Sequence, residues 1–353
     1  MKNPAKQIIE LMKKEQCRQI TFHHNPDTEM SAIFVIDSIP KNGSSVVSGG
    51  TRFAHTDEDV ALNDCIKLAR AMTRKSNVLE VNDGGAKAIV LENKPKTKEF
   101  LESVGDFIQL QNGLFRTAID LGFNLDEAEI IASKTEFIDS LSHNVGGLGS
   151  TGENTAEGIV HGFRVLAERI LKKPLECCKI SIQGLGSVGM ALSKRLVTIG
   201  CEVIASDMDL TKCDEARKIG IIIVSPNGIL EQKVDILSPC AFGSVINADN
   251  ISKLKCKIVA GGANNILENE SLDKELDKLE IVFVPDFVIN CAGFLQAIIE
   301  RNGGSVGDAR EKSKIVAEKL NQAIEFSVKN RLTLLESSLK LFGETNGKLN
   351  SKY

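Results

Sequence analysis

The chain has 353 residues, of which 42% are hydrophobic and 25% charged, with a formal net charge of −4. That length can hold two domains with separate cores, and the balance is that of an ordinary globular protein. Without a basic excess, nucleic acid and anionic membranes are not expected partners, and no apolar run approaches the roughly 20 residues of a membrane span.

Residues 1–16 alternate Lys and Glu with apolar residues, so they read as an amphipathic helix and not as a signal peptide. The nine cysteines form no C-x-x-C, and Cys177 and Cys178 are adjacent. Reduced cysteines acting as small hydrophobes in a cytoplasmic protein are expected. The five histidines, His23 and His24 among them, lack the spacing of zinc ligands, and no metal site is expected.

Residues 19–23 and 32–37 read as strands around the loop Asn25-Pro26-Asp27, and residues 40–45 as a polar loop. Gly49 and Gly50 then allow a ligand or another backbone to come close. Residues 57–74 carry Ala61, Cys65, Leu68 and Met72 at helical spacing, and this helix is expected to end near Lys75. A glycine turn at Gly84-Gly85 follows, and Lys87 enters the apolar run behind it. Burying that lysine costs several kcal/mol unless its charge is paired or chemically employed. Residues 98–113 form another amphipathic helix, and 116–120 a strand ending in the carboxylate of Asp120.

Four glycines in residues 146–152 mark a linker and a domain boundary. Asn154 or Thr155 is expected to cap the helix that runs to about Leu171. Next, residues 179–183 alternate apolar and polar as a strand does, and Gly184, Gly186 and Gly189 give G-x-G-x-x-G at the start of a helix over 187–199. Such a turn lets backbone N–H groups reach a pyrophosphate at the positive end of a helix. A second strand, 202–206, ends at Asp207, roughly 20 residues past the glycines, where a ribose hydroxyl is bound in dinucleotide sites. Short apolar runs at 221–224, 234–237, 258–260 and 281–284 alternate with helical stretches, which is the pattern of a doubly wound parallel sheet. Residues 308–342 are helical and amphipathic, and 346–353 form a polar tail. The fold class is therefore α/β in two domains. Residues 1–146, joined by C-terminal helices 330–353, form an N-terminal α/β substrate and oligomerisation domain, and 147–329 form a Rossmann-type dinucleotide domain.

Lys75, Gly84-Gly85-Ala86-Lys87 and Asp120, standing before a dinucleotide fold, resemble the glutamate, leucine, phenylalanine and valine dehydrogenase family. The likeness is strongest to the leucine branch, through Gly49-Gly50-Thr51-Arg52, Met72-Thr73-Arg74-Lys75, Thr117-Ala118-Ile119-Asp120, Pro239-Cys240-Ala241, Ala263-Asn264-Asn265 and Pro285-Asp286-Phe287-Val288-Ile289-Asn290. It extends from about residue 32 to residue 300.

The resemblance implies NAD-dependent oxidative deamination of an apolar L-amino acid to its 2-oxo acid, by a homo-oligomer with its active site in a cleft between domains. It implies that Lys75 binds the substrate carboxylate and that Lys87 and Asp120 serve as acid and base. Gly49, Gly50 and Asn290 then contact substrate. Gly184, Leu185, Gly186, Ser187, Val188, Gly189, Asp207, Thr155, Ala241 and Asn265 contact the cofactor. Chemistry alone asks for the same set: a cation for the carboxylate, a base for the ammonium and water protons, and a cation beside the developing oxygen. Two lysines sharing a dry cleft lower one another's pKa, which suits Lys87 to proton transfer. Asp207 favours NAD, because a carboxylate repels a 2′-phosphate and no arginine immediately follows it.

The glutamate branch places a lysine before the two glycines, where this chain has Ser48. A distal carboxylate is left without its cation there, so glutamate is not the expected substrate. Ala118 is retained in the side-chain pocket, but Phe294 and Ala297 stand where the leucine branch has valines, and Ala292 stands for a glycine. The pocket is apolar but reshaped, with aromatic amino acids as the alternative to leucine. A regulatory protein that binds NAD or an amino acid without turnover is a reading of another class, opposed by intact Lys75, Lys87 and Asp120. A hydroxy-acid dehydrogenase requires a His–carboxylate pair, for which His143 and His161 show no evident partner in the sequence.

Overall fold

The computed structural model of the protein describes residues 4–40, 46–92, 94–122 and 124–343. Its chain divides into one unit of Met1–Ser150 with Gly343–Tyr353 and another of Thr151–Phe342. In the first, α1 (Pro4–Glu15) leads to a hairpin of β1 (Gln19–Asn25) and β2 (Met30–Ile36). Then come β3 (Val47–Ala54), α2 (Glu58–Val78), β4 (Gly84–Leu91), α3 (Lys98–Gln109), β5 (Phe115–Ile119), α4 (Leu125–Ala132) and β6 (Ile138–Asp139). Of the loop at 40–45 and the tail at 346–353, residues 41–45 and the whole tail lie outside the described residues.

The sheet order is β1-β2-β4-β3-β5-β6, with β2 antiparallel to β4 and β3 parallel to both β4 and β5. Alternate residues of a strand point to opposite faces, and here both faces are covered. Phe34, Ala88 and Val90 pack with Phe100, Val104 and Phe107 of α3. Ile33, Val35, Ile89 and Leu91 pack with Ala61, Cys65 and Ala69 of α2. This double burial is why every residue of β4 is buried.

Three local expectations change. Helix α2 continues three residues past Lys75, because Ser76 and Val78 extend its buried face. Gly84 and Gly85 lie within β4 and not in a turn. A Cβ on Gly84 would stand 2.2 Å from the Ser38 carbonyl oxygen, and one on Gly85 2.2 Å from the Thr73 nitrogen, so the glycines serve close packing. Between Asp120 and the linker, α4 and β6 are additions that weak periodicity had hidden.

The second unit begins with α5 (Gly152–Leu166), which runs into a π-helical turn to Leu171. Then follow β7 (Lys179–Gln183), α6 (Ser187–Ile199), β8 (Glu202–Ser206), α7 (Leu210–Lys218), β9 (Ile222–Ile223), β10 (Ile236–Pro239) and β11 (Ile258–Val259). After these come α8 (Leu272–Lys278), β12 (Val282–Phe283), α9 (Asp286–Ile289), α10 (Ala292–Arg301), α11 (Val306–Lys312), α12 (Ile315–Asn330) and α13 (Leu334–Ser338). All six strands are parallel, in the order β12-β11-β10-β7-β8-β9. The first strand in sequence is therefore central, and the chain turns outward on both sides of it. That reversal opens a crevice at the strand ends of a Rossmann-type sheet.

Helix α5 starts three or four residues earlier than expected, with Thr151 at its N-cap position, and neither candidate cap serves it. Asn154 Nδ2 instead donates to the Ala292 carbonyl at 2.8 Å, and the Thr155 hydroxyl to that of Thr151 at 2.8 Å. The split after Ser150 falls inside the glycine linker. Helix α13 groups with the second unit, unlike the expected joining of residues 330–353 to the first, since Leu334 and Leu335 are buried there and Thr333 both caps α13 and hydrogen-bonds Asp273 of α8. No helix among the described residues is long and apolar enough to cross a membrane.

Burial pushes the Asp273 carboxyl up to about 6, against the opposing Thr333 hydrogen bond. A carboxyl whose folded pKa lies above its unfolded value of about 3.9 destabilises the fold progressively as pH rises between the two. Asp273→Asn should therefore gain on the natural protein from pH 4 to pH 7, by a few degrees in Tm. Thermal melts across that range test this, and parallel curves refute it.

Candidate active site

The face of the first sheet that meets α2 carries the chemistry. Residues Ser48, Gly50 and Arg52 of β3 alternate onto it, as do Gly85 and Lys87 of β4 and Arg116 and Ala118 of β5. The pairing sets Ser48 beside Gly85 and Arg116, and Gly50 beside Ala118. Lys87 is 3% exposed. Its Nζ donates to Asp120 Oδ2 at 2.5 Å, and Arg52 Nε reaches the same oxygen at 3.0 Å. Arg52 Nη1 also binds Asp64 Oδ2 of α2 at 2.8 Å. The lysine charge that burial penalises is thus compensated by a carboxylate.

Burial pushes the Asp120 carboxyl up, but Lys87 and Arg52 outweigh it and hold the group well below the usual carboxylate range. The charge within hydrogen-bonding distance of Lys87 is therefore an anion, the Asp120 carboxylate. Beneath it, burial pushes the Cys65 thiol up to about 12, so the thiol stays neutral and donates to the Lys87 carbonyl at 3.3 Å. Glycine at position 50 is required by this pair: a Cβ there would lie 2.9 Å from Lys87 Nζ and 3.0 Å from Asp120 Cβ. Gly49 faces the neighbouring strand, with 1.8 Å from its would-be Cβ to the Ala86 carbonyl oxygen. Lys75 is 7% exposed in the last turn of α2. Ser48 is 4% exposed and donates to Asp83 Oδ2 at 2.5 Å.

Asp64 and Asp83 were not singled out from sequence, and Arg52 appeared there only as the last residue of the motif Gly49-Gly50-Thr51-Arg52, without a role. Once β3, β4 and β5 are paired in register, odd-even parity places Arg52 on the face of Lys87, and Asp83, just before β4, reaches Ser48 on that face.

In the second unit, the glycine turn follows β7, Asp207 follows β8, and Ala241 lies just past β10. Gly184 has φ +93, a conformation that glycine adopts without strain. Its would-be Cβ meets that of Ala241 at 2.7 Å. Gly189 packs on the turn itself, with 1.9 Å from its would-be Cβ to the Gly184 carbonyl oxygen. Gly186 has nothing within 4 Å, which leaves an open cradle at the N-terminus of α6. Leu185 is buried, Ser187 exposed and Val188 half-buried. Asp207 accepts from the Leu185 N–H at 2.6 Å and the Asp209 N–H at 2.9 Å, so its carboxylate braces the turn. Thr155 is 6% exposed, and its hydroxyl lies 2.3 Å from a would-be Cβ on Gly293. Asn265, at φ +50, donates its N–H to Asp286 Oδ2 at 2.9 Å.

Asn290 Nδ2 donates to the Gly262 carbonyl and to Asn264 Oδ1, whereas its Oδ1 is buried with no partner among the described residues. An orphaned acceptor suits an amide N–H, and an open cradle at a helix N-terminus suits a pyrophosphate. These residues fit a nicotinamide dinucleotide. On α10, Phe294 is half-buried and Ala297 buried, and the Ala292 methyl is accommodated because position 158 is glycine: a Cβ there would lie 2.6 Å from Ala292 Cβ. His161 Nε2 stands 3.6 Å from Glu157, a carboxylate that also takes Arg195 Nε at 3.0 Å. That arrangement is a half-buried ion cluster linking α5 and α6.

The family model described as Glu/Leu/Phe/Val dehydrogenase, dimerisation domain, matches residues 16–137, and the one described as Glutamate/Leucine/Phenylalanine/Valine dehydrogenase matches residues 206–338. Leucine dehydrogenase of Thermoactinomyces intermedius is 31% identical over 91% of this chain and 88% of its own. An L-tryptophan dehydrogenase of Nostoc punctiforme is 33% identical over 84% of each chain. The crystal structure of L-tryptophan dehydrogenase from Nostoc punctiforme superposes with a TM-score of 0.74 at 29% identity, over 94% of this chain and 96% of the other.

Proposed function

From the premise that this chain belongs to the Glu/Leu/Phe/Val dehydrogenase family, and is an amino-acid dehydrogenase, we propose that it catalyses reversible NAD-dependent oxidative deamination of an apolar L-amino acid. The observation that carries this reading is the buried Lys87–Asp120 pair beside the bare backbone of Gly50. Bound NAD would accept the hydride from the substrate Cα. The chain's own groups do the rest. Lys75 binds the α-carboxylate. The Lys87–Asp120 pair takes the proton that the substrate ammonium gives up and polarises the water that adds to the imine carbon. The Lys87 ammonium offsets the oxygen charge that develops as water adds.

Cofactor contacts come from the turn 184–189, Thr155, Asp207, Ala241 and Asn265, with Asn290 at the nicotinamide side of the substrate. Ala118 in the first unit, and Phe294 and Ala297 in the second, are assigned to recognition of the substrate side chain. The N-terminal match to a dimerisation domain supports a homo-oligomer. The relatives act, by their names, on leucine and on tryptophan, so an aromatic substrate is the second reading, favoured by the half-buried ring of Phe294.

A spectrophotometric screen of NADH formation with leucine, valine, isoleucine, phenylalanine, tryptophan and glutamate tests the assignment. Turnover of apolar members is expected, and a preference for glutamate would overturn it. For the cofactor, Asp207→Ala should weaken NAD binding and narrow the gap to NADP, since a ribose acceptor and a source of repulsion both disappear. Dissociation constants for the two cofactors check this. If both are unmoved, Asp207 does not face the ribose.

A further inference from the structure

The Lys87–Asp120 pair does not stand alone on its sheet face. Gly50 pairs with Ala118 and Thr51 with Ile119, and the Phe53 N–H continues that ladder to the Leu121 carbonyl at 3.1 Å. Arg52 of β3 is thereby set level with Asp120 at the end of β5. Both side chains fall on the α2 face, because residues two apart along a strand point the same way. Lys87 reaches the same carboxylate from β4, across the bare backbone of Gly50. Asp64 approaches from α2 and takes Arg52 Nη1 at 2.8 Å. Cations and anions therefore alternate from Lys87 through Asp120 and Arg52 to Asp64, and their formal charges cancel. Cys65, next to Asp64 on α2, stays a neutral thiol.

The two cations share one oxygen. Lys87 Nζ and Arg52 Nε both donate to Asp120 Oδ2, at 2.5 and 3.0 Å. Two charge-assisted donors occupy the lone pairs of that oxygen, and Oδ1 is the oxygen that neither cation covers. A carboxylate bound by an ammonium alone can turn about its own axis and offer either oxygen. A guanidinium removes that freedom. Its donors lie in one rigid plane, so a contact through Nε fixes the direction of the contact through Nη1. With Nη1 on Asp64, the Arg52 head is held at both ends, and the plane of the Asp120 carboxylate is held with it.

Resting on the acid–base reading of Lys87 and Asp120, we infer that Arg52 is a positioning residue of the reaction: tethered by Asp64, it holds Asp120 by Oδ2 and leaves Oδ1 as the oxygen that accepts from the substrate amino group. Its charge acts on the same pair. A cation 3.0 Å from the carboxylate makes both Lys87 and Asp120 easier to deprotonate. Asp64, on the far side of the guanidinium, works against it. Arg52 thus supplies two separable things, a direction and a charge, and an ammonium at position 52 supplies only the second.

The test measures kcat and kcat/KM against pH, with NAD saturating, for the apolar amino acid that the natural protein turns over fastest. It compares the full-length natural protein with Arg52→Gln, Arg52→Lys, Asp64→Asn and Lys87→Ala, each with a melting curve. In Arg52→Gln both partners of the pair hold protons more tightly, so the acid limb of kcat/KM should move up by about one pH unit. In Asp64→Asn the Arg52 charge is uncompensated, and the limb should move down. Arg52→Lys should leave the limb in place but lower kcat on the order of a hundredfold, the effect of misplacing a reacting group by about 1 Å. A residue that only packs β3 against α2 would lower Tm and move neither limb. Opposite limb shifts in Arg52→Gln and Asp64→Asn support the inference. Limbs that stay put or move the same way overturn it, and so does a natural kcat in Arg52→Lys. Should Arg52→Gln not fold, Asp64→Asn and Arg52→Lys carry the test. A near-normal kcat in Lys87→Ala overturns the underlying acid–base reading, whereas an inactive Lys87→Ala beside an unaltered Arg52→Gln overturns the role of Arg52 alone.

Discussion

Lys87→Ala should lower kcat by roughly a hundred- to ten-thousand-fold, the effect expected on removing one positioned acid–base group. The fold should survive. Asp120, left without its ammonium, keeps Arg52 Nε at 3.0 Å, and Arg52 keeps Asp64. The glycine turn that is assigned to NAD lies in the other unit, so the dissociation constant for NAD should not change. Stopped-flow or steady-state rates, with calorimetry for NAD, separate the two effects. A near-normal kcat removes Lys87 from the chemistry.

Two neighbouring glycines should respond in opposite ways to the same added methyl. On Gly49 it would stand 1.8 Å from the backbone oxygen of Ala86, an atom that cannot move without parting β3 from β4. Gly49→Ala should therefore cost about 3 kcal/mol of stability and lower Tm by roughly 6–12 °C. On Gly50 the nearest atom is Lys87 Nζ at 2.9 Å, the end of a flexible side chain. Gly50→Ala should fold but displace the ammonium from Asp120, and a misplacement of about 1 Å is enough to cost on the order of a hundredfold in kcat. Melting curves and rates on the two variants must diverge in this way. Equal losses of stability would mean that Gly50, too, is a packing residue.

The parts of the fold readable from the chain are those whose signal is local. Helix α6 and strands β7 and β8 have the bounds that apolar alternation, the glycine turn and Gly200 announce, because each is set by residues within it. Gly84-Gly85 misled for the opposite reason. Two adjacent glycines are turn chemistry locally, but here the requirement comes from Ser38 and Thr73, far off in sequence. The site divides in the same way. Lys87 and Asp120 stand out singly, as a charge in an apolar run and a carboxylate at a strand end. Arg52, Asp64 and Asp83 become meaningful only through partners 68, 12 and 35 residues away, and no window of sequence displays that parity. Helix α5 shows how a motif can be present and unused: Asn154 and Thr155 are good caps by type, yet their side chains are engaged one turn inside the helix or on Ala292.

The glycine at position 158 makes room for the methyl of Ala292, and this has a consequence for the routes by which such a sequence can be reached. The two positions lie 134 residues apart in the chain and share one small volume. A larger residue at 158 and alanine at 292 cannot coexist without displacing a helix, whereas glycine at both leaves only a void. The vacancy at 158 must therefore precede the alanine at 292. Once the alanine is in place, the route back through 158 is shut. Positions 158 and 292 thus behave as one heritable unit with a fixed order of change, and a mutagenesis library that randomises them independently would discard most of its members on that account alone.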